Sequence, residues 1–356
     1  MKIALDAMGG DHAPQVTVEG AIETLKEHPD IEIILVGDTS RIEKELQGKK
    51  RFPKDRLHLR HASEVISMDE SPSYALRRKK DSSIKRAMEL HKAGEAQAVV
   101  SAGHSGVAMA LALFVLGKVP GVDRPAIGAS LPTLKKPFVL IDAGANVDCK
   151  PSNILEFAYM GTAYFRAVFG IENPRVALLS IGEEDTKGNE LTKEAFKLLK
   201  ASGLNFKGNI EGKDLFIGDA DVIVCDGFIG NVVLKLSEGL AEVIMKMLKR
   251  EISDISTGRI AYLLMKPALR RFKKKTDYAE YGGAPLLGIN GTCIISHGRS
   301  SAKAIKNALL VAYNLAKTGL HRTISEELSK LKETISPDLI IPASTITYAA
   351  TNSISG

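Results

Sequence analysis

Short runs of apolar, often β-branched residues alternate with longer amphipathic runs along most of this 356-residue chain. The short runs have the length of buried strands, and the longer runs have the apolar spacing of helices that pack on one face. Such alternation is typical of a layered α/β/α fold with a largely parallel sheet. We predict one large α/β domain over residues 1–334, with two interleaved lobes as an alternative organisation, and a flexible tail over residues 335–356.

The pattern predicts eight strands and seven helices. The predicted strands are residues 2–5, 31–36, 57–59, 98–100, 138–141, 176–179, 222–225 and 292–295. The predicted helices are residues 16–27, 82–92, 107–116, 154–169, 190–199, 230–250 and 302–318. Most of the strands end in turns rich in glycine or aspartate, and ligands of such sheets bind at the carboxyl ends of strands. We therefore expect these turns to converge on one cleft.

Composition excludes several classes of protein. The chain has three cysteines, none close to another, which excludes a disulfide scaffold and a zinc ribbon. Tryptophan is absent and aromatic residues make up 5%, so a stacking platform for single-stranded nucleic acid is not favoured. The apolar stretch formed by the first residues is too short for a signal peptide. We expect a soluble cytoplasmic protein with reduced cysteines and no nucleic-acid partner.

The turn at residues 6–14 follows the first predicted strand and precedes the first predicted helix. Gly9 and Gly10 allow backbone N–H groups to approach an anion, and a helix N-terminus adds partial positive charge. The alternative is a tight turn in which Asp11 caps the helix. The glycine spacings of dinucleotide and mononucleotide loops are missing, so no nucleotide cofactor is predicted.

The turn at residues 101–106 has the same position after another strand. Its His104 could donate a hydrogen bond to an anion or to a developing oxyanion, or it could be a histidine of the turn without a chemical task. The G-x-S-x-G motif of a nucleophilic serine is absent, so Ser105 is not favoured as a nucleophile.

Three later turns supply further polar groups. Residues 142–151 contain acids that could bind Mg²⁺ and Lys150, a point charge for phosphate, but an Asx turn explains the same residues. Lys187 precedes a predicted helix, and Asn231 follows the Asp226 turn at the start of another. Taken together, the turns favour an anion-binding cleft.

The assembled segments resemble the bacterial phosphate acyltransferases, the acyl-ACP:phosphate transacylases of phospholipid synthesis. The matching segments are residues 6–14, 77–82, 101–106, 123–125, 142–151, 183–192, 226–235, 281–284 and 297–300. The resemblance implies a fold related to isocitrate-type dehydrogenases and phosphotransacetylases, and a homodimer loosely attached to the cytoplasmic membrane. It implies transfer of a long acyl chain from acyl carrier protein to inorganic phosphate, which supplies a membrane glycerol-phosphate acyltransferase. No family counterpart is identified for residues 336–356.

Beside this resemblance, the residues give hypotheses for individual roles. For phosphate to attack a thioester, the protein must hold phosphate against the thioester carbonyl and donate a hydrogen bond to the developing oxyanion. A strong base is not required. The phosphate cradle would be Gly9, Gly10 and the amides near Asp11, with Lys187 and Lys150 as counter-charges. The carbonyl donor would be His104 or Asn231. The remaining assignments are Asp6, Asp142 and Asp226 as orienting groups, and Arg77, Arg78, Lys79 and Lys80 as the acyl carrier protein docking site or, alternatively, a solvated helix end. No metal or other cofactor is predicted.

The net charge of +6 comes from one region. Residues 255–276 carry +7 and contain no acid, which leaves −1 for the rest of the chain. They follow an apolar helical pattern, and we predict a helical hairpin at about residues 236–275 in which Lys266–Pro267 ends or kinks the second segment. A membrane contact would involve Leu263, Leu264, Arg270, Arg271, Lys273, Lys274 and Lys275. A dimerisation or core helix pair with a solvated basic end and an acidic protein partner are the alternatives.

Two other functions stay open at this point. A relative of the β-decarboxylating dehydrogenases would need an adenosine pocket for NAD and a Mg²⁺ carboxylate set. A noncatalytic scaffold on a lipid surface would need only the basic helical region.

Overall fold

The computed structural model describes residues 1–49, 51–254, 264–272 and 280–334. In this part of the chain eleven strands form one continuous sheet with helices on both faces. The strands are β1 Lys2–Asp6, β2 Glu32–Gly37, β3 Leu57–His61, β4 Ala98–Ser101, β5 Ala126–Leu131, β6 Phe138–Ile141, β7 Val176–Ser180, β8 Phe206–Glu211, β9 Val222–Val224, β10 Ala284–Leu287 and β11 Cys293–Ile295. The helices are α1 Gln15–Glu27, α2 Thr39–Gln47, α3 Pro72–Arg78, α4 Ser83–Lys92, α5 Ser105–Val115, α6 Pro151–Phe169, α7 Glu190–Ala201, α8 Gly227–Asp254, α9 264–272, α10 Ala302–Thr318 and α11 Leu320–Thr334.

The sheet consists of two parallel blocks joined by antiparallel strands. One block has the order β3-β2-β1-β4-β11 and the other has the order β6-β9-β7-β8. Between them lie β10 and β5, which pair antiparallel with each other and with the neighbouring blocks. The predicted layered α/β fold with a largely parallel sheet is therefore confirmed.

Alternate residues of the central strands bury opposite faces. Ile3 and Leu5 belong to the core beneath α1 and α10, whereas Ala4 between them belongs to the core beneath α4 and α5. All three side chains have no solvent exposure. A strand buried on both faces explains why the sequence shows continuous apolar runs rather than strict alternation.

The sequence pattern missed β5, β8, β10, α2, α3 and α11. Strand β5 contains Gly128 and Ser130, and β10 begins with Ala-Pro, so neither has the β-branched run of a typical strand. Strand β8 lies at the sheet edge and buries only Ile210 fully. Helix α11 was predictable, because its buried Leu320, Ile324 and Leu328 recur every four residues.

The predicted helical hairpin is described in part. Helix α8 extends to Asp254, beyond the predicted end at residue 250. The described part of α9 runs through Pro267 to residue 272, so the segment does not end at Lys266–Pro267, and a kink there stays a prediction. Residues 255–263, residues 273–275 and the predicted tail at 335–356 lie outside the described residues, and the domain boundary at 334 stays a prediction. No helix in the described ranges is both long and apolar enough to span a bilayer.

His91 joins the end of α4 to the start of β11. Its Nδ1 lies 2.8 Å from the Ala96 carbonyl oxygen, and its Nε2 accepts the Thr292 N–H at 3.0 Å. This pair of bonds requires the neutral ring with the proton on Nδ1. Burial lowers the pKa of His91 below its ordinary value of 6.5.

We predict that His91 makes the folded state acid-sensitive. Because its pKa is lower in the folded than in the unfolded chain, the stability that it contributes is present above pH 6.5 and is lost as the pH falls below that value. The free energy of unfolding, measured with urea, should differ more between wild type and His91→Gln at pH 7.5 than at pH 5. Exposed His61 provides the matched control as His61→Gln. A His91→Gln difference that is constant with pH would contradict the prediction.

Candidate active site

A cavity of about 720 Å³ lies between α8 and the turns that follow β4, β6 and β11. The turns contribute Gly103, Ser105, Gly144, His297 and Gly298 to its lining. Helix α8 contributes Asn231, Leu234, Lys235, Glu238, Leu240 and Ile244. The expected convergence of turns is thus observed for these three strand ends, and this volume lies in the usual range for ligand sites.

The turn after β1 packs behind the polar end of this cavity. The Asp11 N–H donates to the Gly298 carbonyl at 2.8 Å. A Cβ on Gly9 would lie 2.8 Å from the Gly103 nitrogen, and Gly10 has a φ of +104°. Both glycines are therefore required by close backbone approach and by a left-handed conformation. Helix α1 begins after Pro14, so Asp11 is not its cap.

Asp6 fixes the relative position of the β1 and β4 turns. Its carboxylate is buried and accepts the Ser101 hydroxyl at 2.7 Å and the Met8 N–H at 3.2 Å. Burial raises the pKa of Asp6, while these donors oppose the shift. The geometry is that of an orienting group, since both carboxylate oxygens are turned into the protein.

His104 caps helix α5. Its Nδ1 accepts the Val107 N–H at 3.3 Å, so the neutral ring carries its proton on Nε2. Gly103 and Ser105 on either side line the cavity. The structure therefore shows His104 as the capping histidine of the turn, and its role as a donor to an anion or oxyanion stays a prediction.

Asp142 accepts five hydrogen bonds from the protein. One oxygen accepts the N–H groups of Ile127, Gly144 and Ala145 at 2.9–3.1 Å. The other accepts the backbone and side-chain N–H groups of Asn146 at 2.7 and 2.9 Å. Burial raises the pKa of Asp142, but all five donors favour its charged form. With its lone pairs engaged in this way, the carboxylate has no capacity for Mg²⁺, and the Asx-turn interpretation is correct here.

The next turn positions the start of α8. The Asp226 carboxylate accepts the Ile229 N–H at 2.9 Å, which begins the helix. Asn231 follows within the first turns and lines the cavity beside Gly144, where an added Cβ would lie 3.2 Å from Asn231 Cβ. The small residue at 144 therefore makes room for the Asn231 side chain.

The two lysines predicted as phosphate counter-charges lie elsewhere. Lys150 and Lys187 are exposed, and neither is among the described residues that line the cavity. The lining instead includes Lys213 and Lys235. Lys213 follows β8, a strand that the sequence pattern missed, whereas Lys235 was visible on the predicted helix at four-residue spacing from Asn231.

The comparisons with known proteins agree with this architecture. The sequence model of a family described as "Fatty acid synthesis protein" matches residues 1–323. The chain belongs to this family. The resemblance to the phosphate acyltransferases is confirmed by relatives that carry this name. The protein from Thermodesulfovibrio yellowstonii is 60% identical over 333 residues, 94% of this chain and 96% of the relative. The protein from Geobacter sulfurreducens is 52% identical over 328 residues, which are 92% of this chain and 94% of the relative.

Solved structures share the fold of this family member at low identity. A phosphotransacetylase from Streptococcus pyogenes aligns with a TM-score of 0.60 at 19% identity, over 89% of this chain and 94% of that one. A 4-hydroxythreonine-4-phosphate dehydrogenase from Klebsiella pneumoniae aligns with a TM-score of 0.52 at 14% identity, over 89% and 99%. The fold relationships implied by the sequence are therefore confirmed.

Helix α3 lies at the rim of the cavity. Met68, just before it, lines the cavity, and Pro72 in its first turn lies against Gly106 of the β4 turn. Arg77, Arg78 and Lys80 are exposed, whereas Lys79 donates to the Val65 carbonyl at 3.1 Å and lies 3.5 Å from Glu70. The start of α3 is thus close to the cavity, and the basic residues lie in its last turn and just beyond.

The predicted membrane contact is only partly described. Leu264, Arg270 and Arg271 are exposed on α9, whereas Leu263 and residues 273–275 lie outside the described residues. Large apolar side chains on α8 are exposed as well: Leu236, Leu240, Val243 and Met247 are 50–67% accessible.

We predict that Asp142→Asn destabilises the protein. In the variant, the amide NH₂ group takes the place of one carboxylate oxygen of the wild type. The N–H groups that donate to that oxygen are then left unsatisfied, at a cost of about 1–3 kcal/mol. The free energy of unfolding in urea should fall by that amount. Asp148→Asn, an exposed residue of the same turn, is the control and should be neutral. Equal stability of Asp142→Asn and wild type would contradict the role of the carboxylate.

Proposed function

We propose that this protein transfers a long-chain fatty acyl group from acyl carrier protein to inorganic phosphate and forms an acyl phosphate for phospholipid synthesis. One observation carries the proposal: a single cavity joins an apolar region to polar strand-end turns. Leu131, Phe216, Leu240 and Ile244 line its apolar region, whereas Asn231 and His297 line its polar end. An alkyl chain gains roughly 0.8 kcal/mol per buried CH₂, so a lining of this kind favours a fatty acyl group.

The reaction requires positioning more than acid–base chemistry. A phosphate oxygen attacks the thioester carbonyl, the new C–O bond forms, and the C–S bond breaks with departure of a thiolate. His104 Nε2–H or the Asn231 amide would donate to the carbonyl oxygen as it becomes negative. Gly9 and Gly10 would hold their neighbouring amides in place, and Asp6, Asp142 and Asp226 would fix the turns. The sequence-based hypothesis that Lys150 and Lys187 are counter-charges finds no support in the described lining of the cavity.

Acyl carrier protein would dock on the basic cluster of α3. Its supporting observation is position, since α3 begins shortly after Met68, which lines the same cavity as the proposed donor Asn231. Exposed Arg77, Arg78 and Lys80 would steer an acidic partner toward the rim. The thioester at the end of the carrier's prosthetic arm would then enter the cavity.

We also propose a cytoplasmic homodimer that associates peripherally with the membrane and supplies a glycerol-phosphate acyltransferase there. The exposed apolar side chains of α8 and the exposed basic residues of α9 support contact with a second subunit and with anionic lipid. A noncatalytic scaffold is less well supported, because the relatives are named as transferases. The likeness to a dehydrogenase concerns the fold alone.

The proposed reaction is tested by incubating the protein with acyl-carrier thioester and phosphate in the presence of hydroxylamine. Hydroxamate and free carrier thiol should form in a phosphate-dependent manner. His104→Ala should lower kcat by ~100-fold or more, as expected for loss of one oxyanion donor. His104→Asn retains a good helix cap but not the reach of Nε2, so it should lose activity without the ~1 kcal/mol loss of stability expected for alanine. Turnover of both variants within about threefold of wild type would exclude this role.

The membrane contact is tested by flotation with anionic liposomes. Reversal of Arg270, Arg271, Lys273, Lys274 and Lys275 to Glu should abolish flotation, because attraction to anionic lipid is lost. Reversal of Lys193, Lys197 and Lys200, which are exposed on α7, provides a control in which the charge is also lowered, by a smaller amount, on another helix. Unchanged flotation of the first variant would rule out the proposal.

A further inference from the structure

Four charged or titratable groups lie close together beside the cavity. Lys235 and Glu238 lie one turn apart on α8, and His297 and Arg299 lie in the turn after β11. Lys235, Glu238 and His297 line the cavity. The His297 Nδ1 accepts the Arg299 N–H at 3.1 Å, so the neutral ring carries its proton on Nε2. We refer to these four residues as the rim cluster.

Lys235 differs from the other lysine of the cavity in its electrostatic partners. The Lys213 ammonium lies 2.8 Å from a Glu211 oxygen and 3.8 Å from an Asp214 oxygen. Lys235 is exposed and takes part in none of the ion pairs among the described residues. Its positive charge is therefore available to an incoming anion, whereas that of Lys213 is already compensated.

Glu238 is the acidic member of the rim cluster. Burial raises its pKa, as does Glu242 on the same helix, whereas His297, Arg299 and Lys235 lower it. These opposing effects show that the basic groups are close enough to act on one carboxylate. The same basic groups would also attract an anion bound in this space.

We propose that Lys235, His297 and Arg299 bind inorganic phosphate at the cavity rim and that Glu238 opposes this binding when it is ionised. The proposal rests on the proposed acyl transfer and replaces Lys150 and Lys187 as counter-charges. Two fixed cations and an imidazole donor match the charge of a phosphate dianion better than either exposed lysine alone.

The position of this subsite suits the reaction. Lys235 lies four residues after Asn231, which places the two side chains on one face of α8 about 6 Å apart along its axis. A phosphate at Lys235 is thus one helical turn from the Asn231 amide, the proposed donor to the thioester carbonyl. The apolar region of the cavity continues along the same helix at Leu240 and Ile244.

The first test compares lysine variants. Lys235→Met should raise the phosphate KM roughly tenfold and change kcat at saturating phosphate less than about threefold, as expected for lost ground-state binding. Lys213→Met is the matched control, and Lys187→Ala tests the earlier assignment; both should leave the phosphate KM within twofold. Thermal unfolding of each variant checks that it is folded.

The second test uses the acidic residue, for which the expected effect is a gain. Glu238→Gln should lower the phosphate KM at pH 8, because it removes a negative charge that repels the anion. The ratio of wild-type to variant KM cancels the titration of phosphate itself. It should exceed 1 at pH 8 and approach 1 as the pH falls through the raised pKa of Glu238, because the wild-type carboxylate then becomes protonated.

The possible outcomes distinguish failure of the proposed subsite from failure of the proposed reaction. An unchanged phosphate KM in Lys235→Met, or a Glu238→Gln ratio that is flat with pH, would overturn the subsite while the acyl transfer stands. A rise only in the KM for the acyl donor would assign the cluster to the phosphate of the carrier's arm and overturn binding of inorganic phosphate. If the wild type forms no acyl phosphate, the reaction fails, and titration with inorganic phosphate followed by ³¹P NMR tests the subsite directly: wild type should bind and Lys235→Met should not.

Discussion

The buried carboxylate of Asp142 holds together the parts of the molecule on which the site depends. Its five donors come from β5 and from the turn after β6, and the Asn146 amide continues to the Pro125 carbonyl at 2.8 Å. The Asn146 carbonyl accepts the Gly227 N–H at 2.7 Å, at the first residue of α8. A Cβ added to Gly230 would overlap the backbone carbonyl oxygen of Asp142, so the helix lies directly against this turn. One carboxylate thereby joins the antiparallel centre of the sheet to the helix that forms one side of the cavity.

The same arrangement explains how a fold with two parallel blocks makes one site. The strands β5 and β10 reverse direction between the blocks, and the turns after β4 and β11 belong to one block while that after β6 belongs to the other. Helix α8 lines the cavity together with both sets of turns. Its polar residues at Asn231, Lys235 and Glu238 face the turns, and its apolar residues beyond them extend the cavity. The proposed donor Asn231, the proposed phosphate subsite and the apolar lining of the cavity are therefore placed along a single helix.

The candidate site could be predicted in part. Gly9, His104, Asp142 and Asn231 were identified from turns that follow buried strands, because a parallel sheet places such turns where ligands bind. The same rule also selects Lys150 and Lys187, but it does not predict whether a side chain of a turn points into the cavity or into solvent. Lys213 was missed since β8 is a polar edge strand without a clear sequence signal.

The sequence alone determined the layered α/β fold and the strand-end turns, because burial on both faces of the strands and the need for glycine in tight turns leave strong local patterns. The family followed from the resemblance of the assembled segments. It also located the excess positive charge in residues 255–276. Only the tertiary structure decided which charges share a space. Lys235 and Glu238 on α8 lie near His297 and Arg299 of the turn after β11, and such proximity between distant segments depends on packing that no local pattern records.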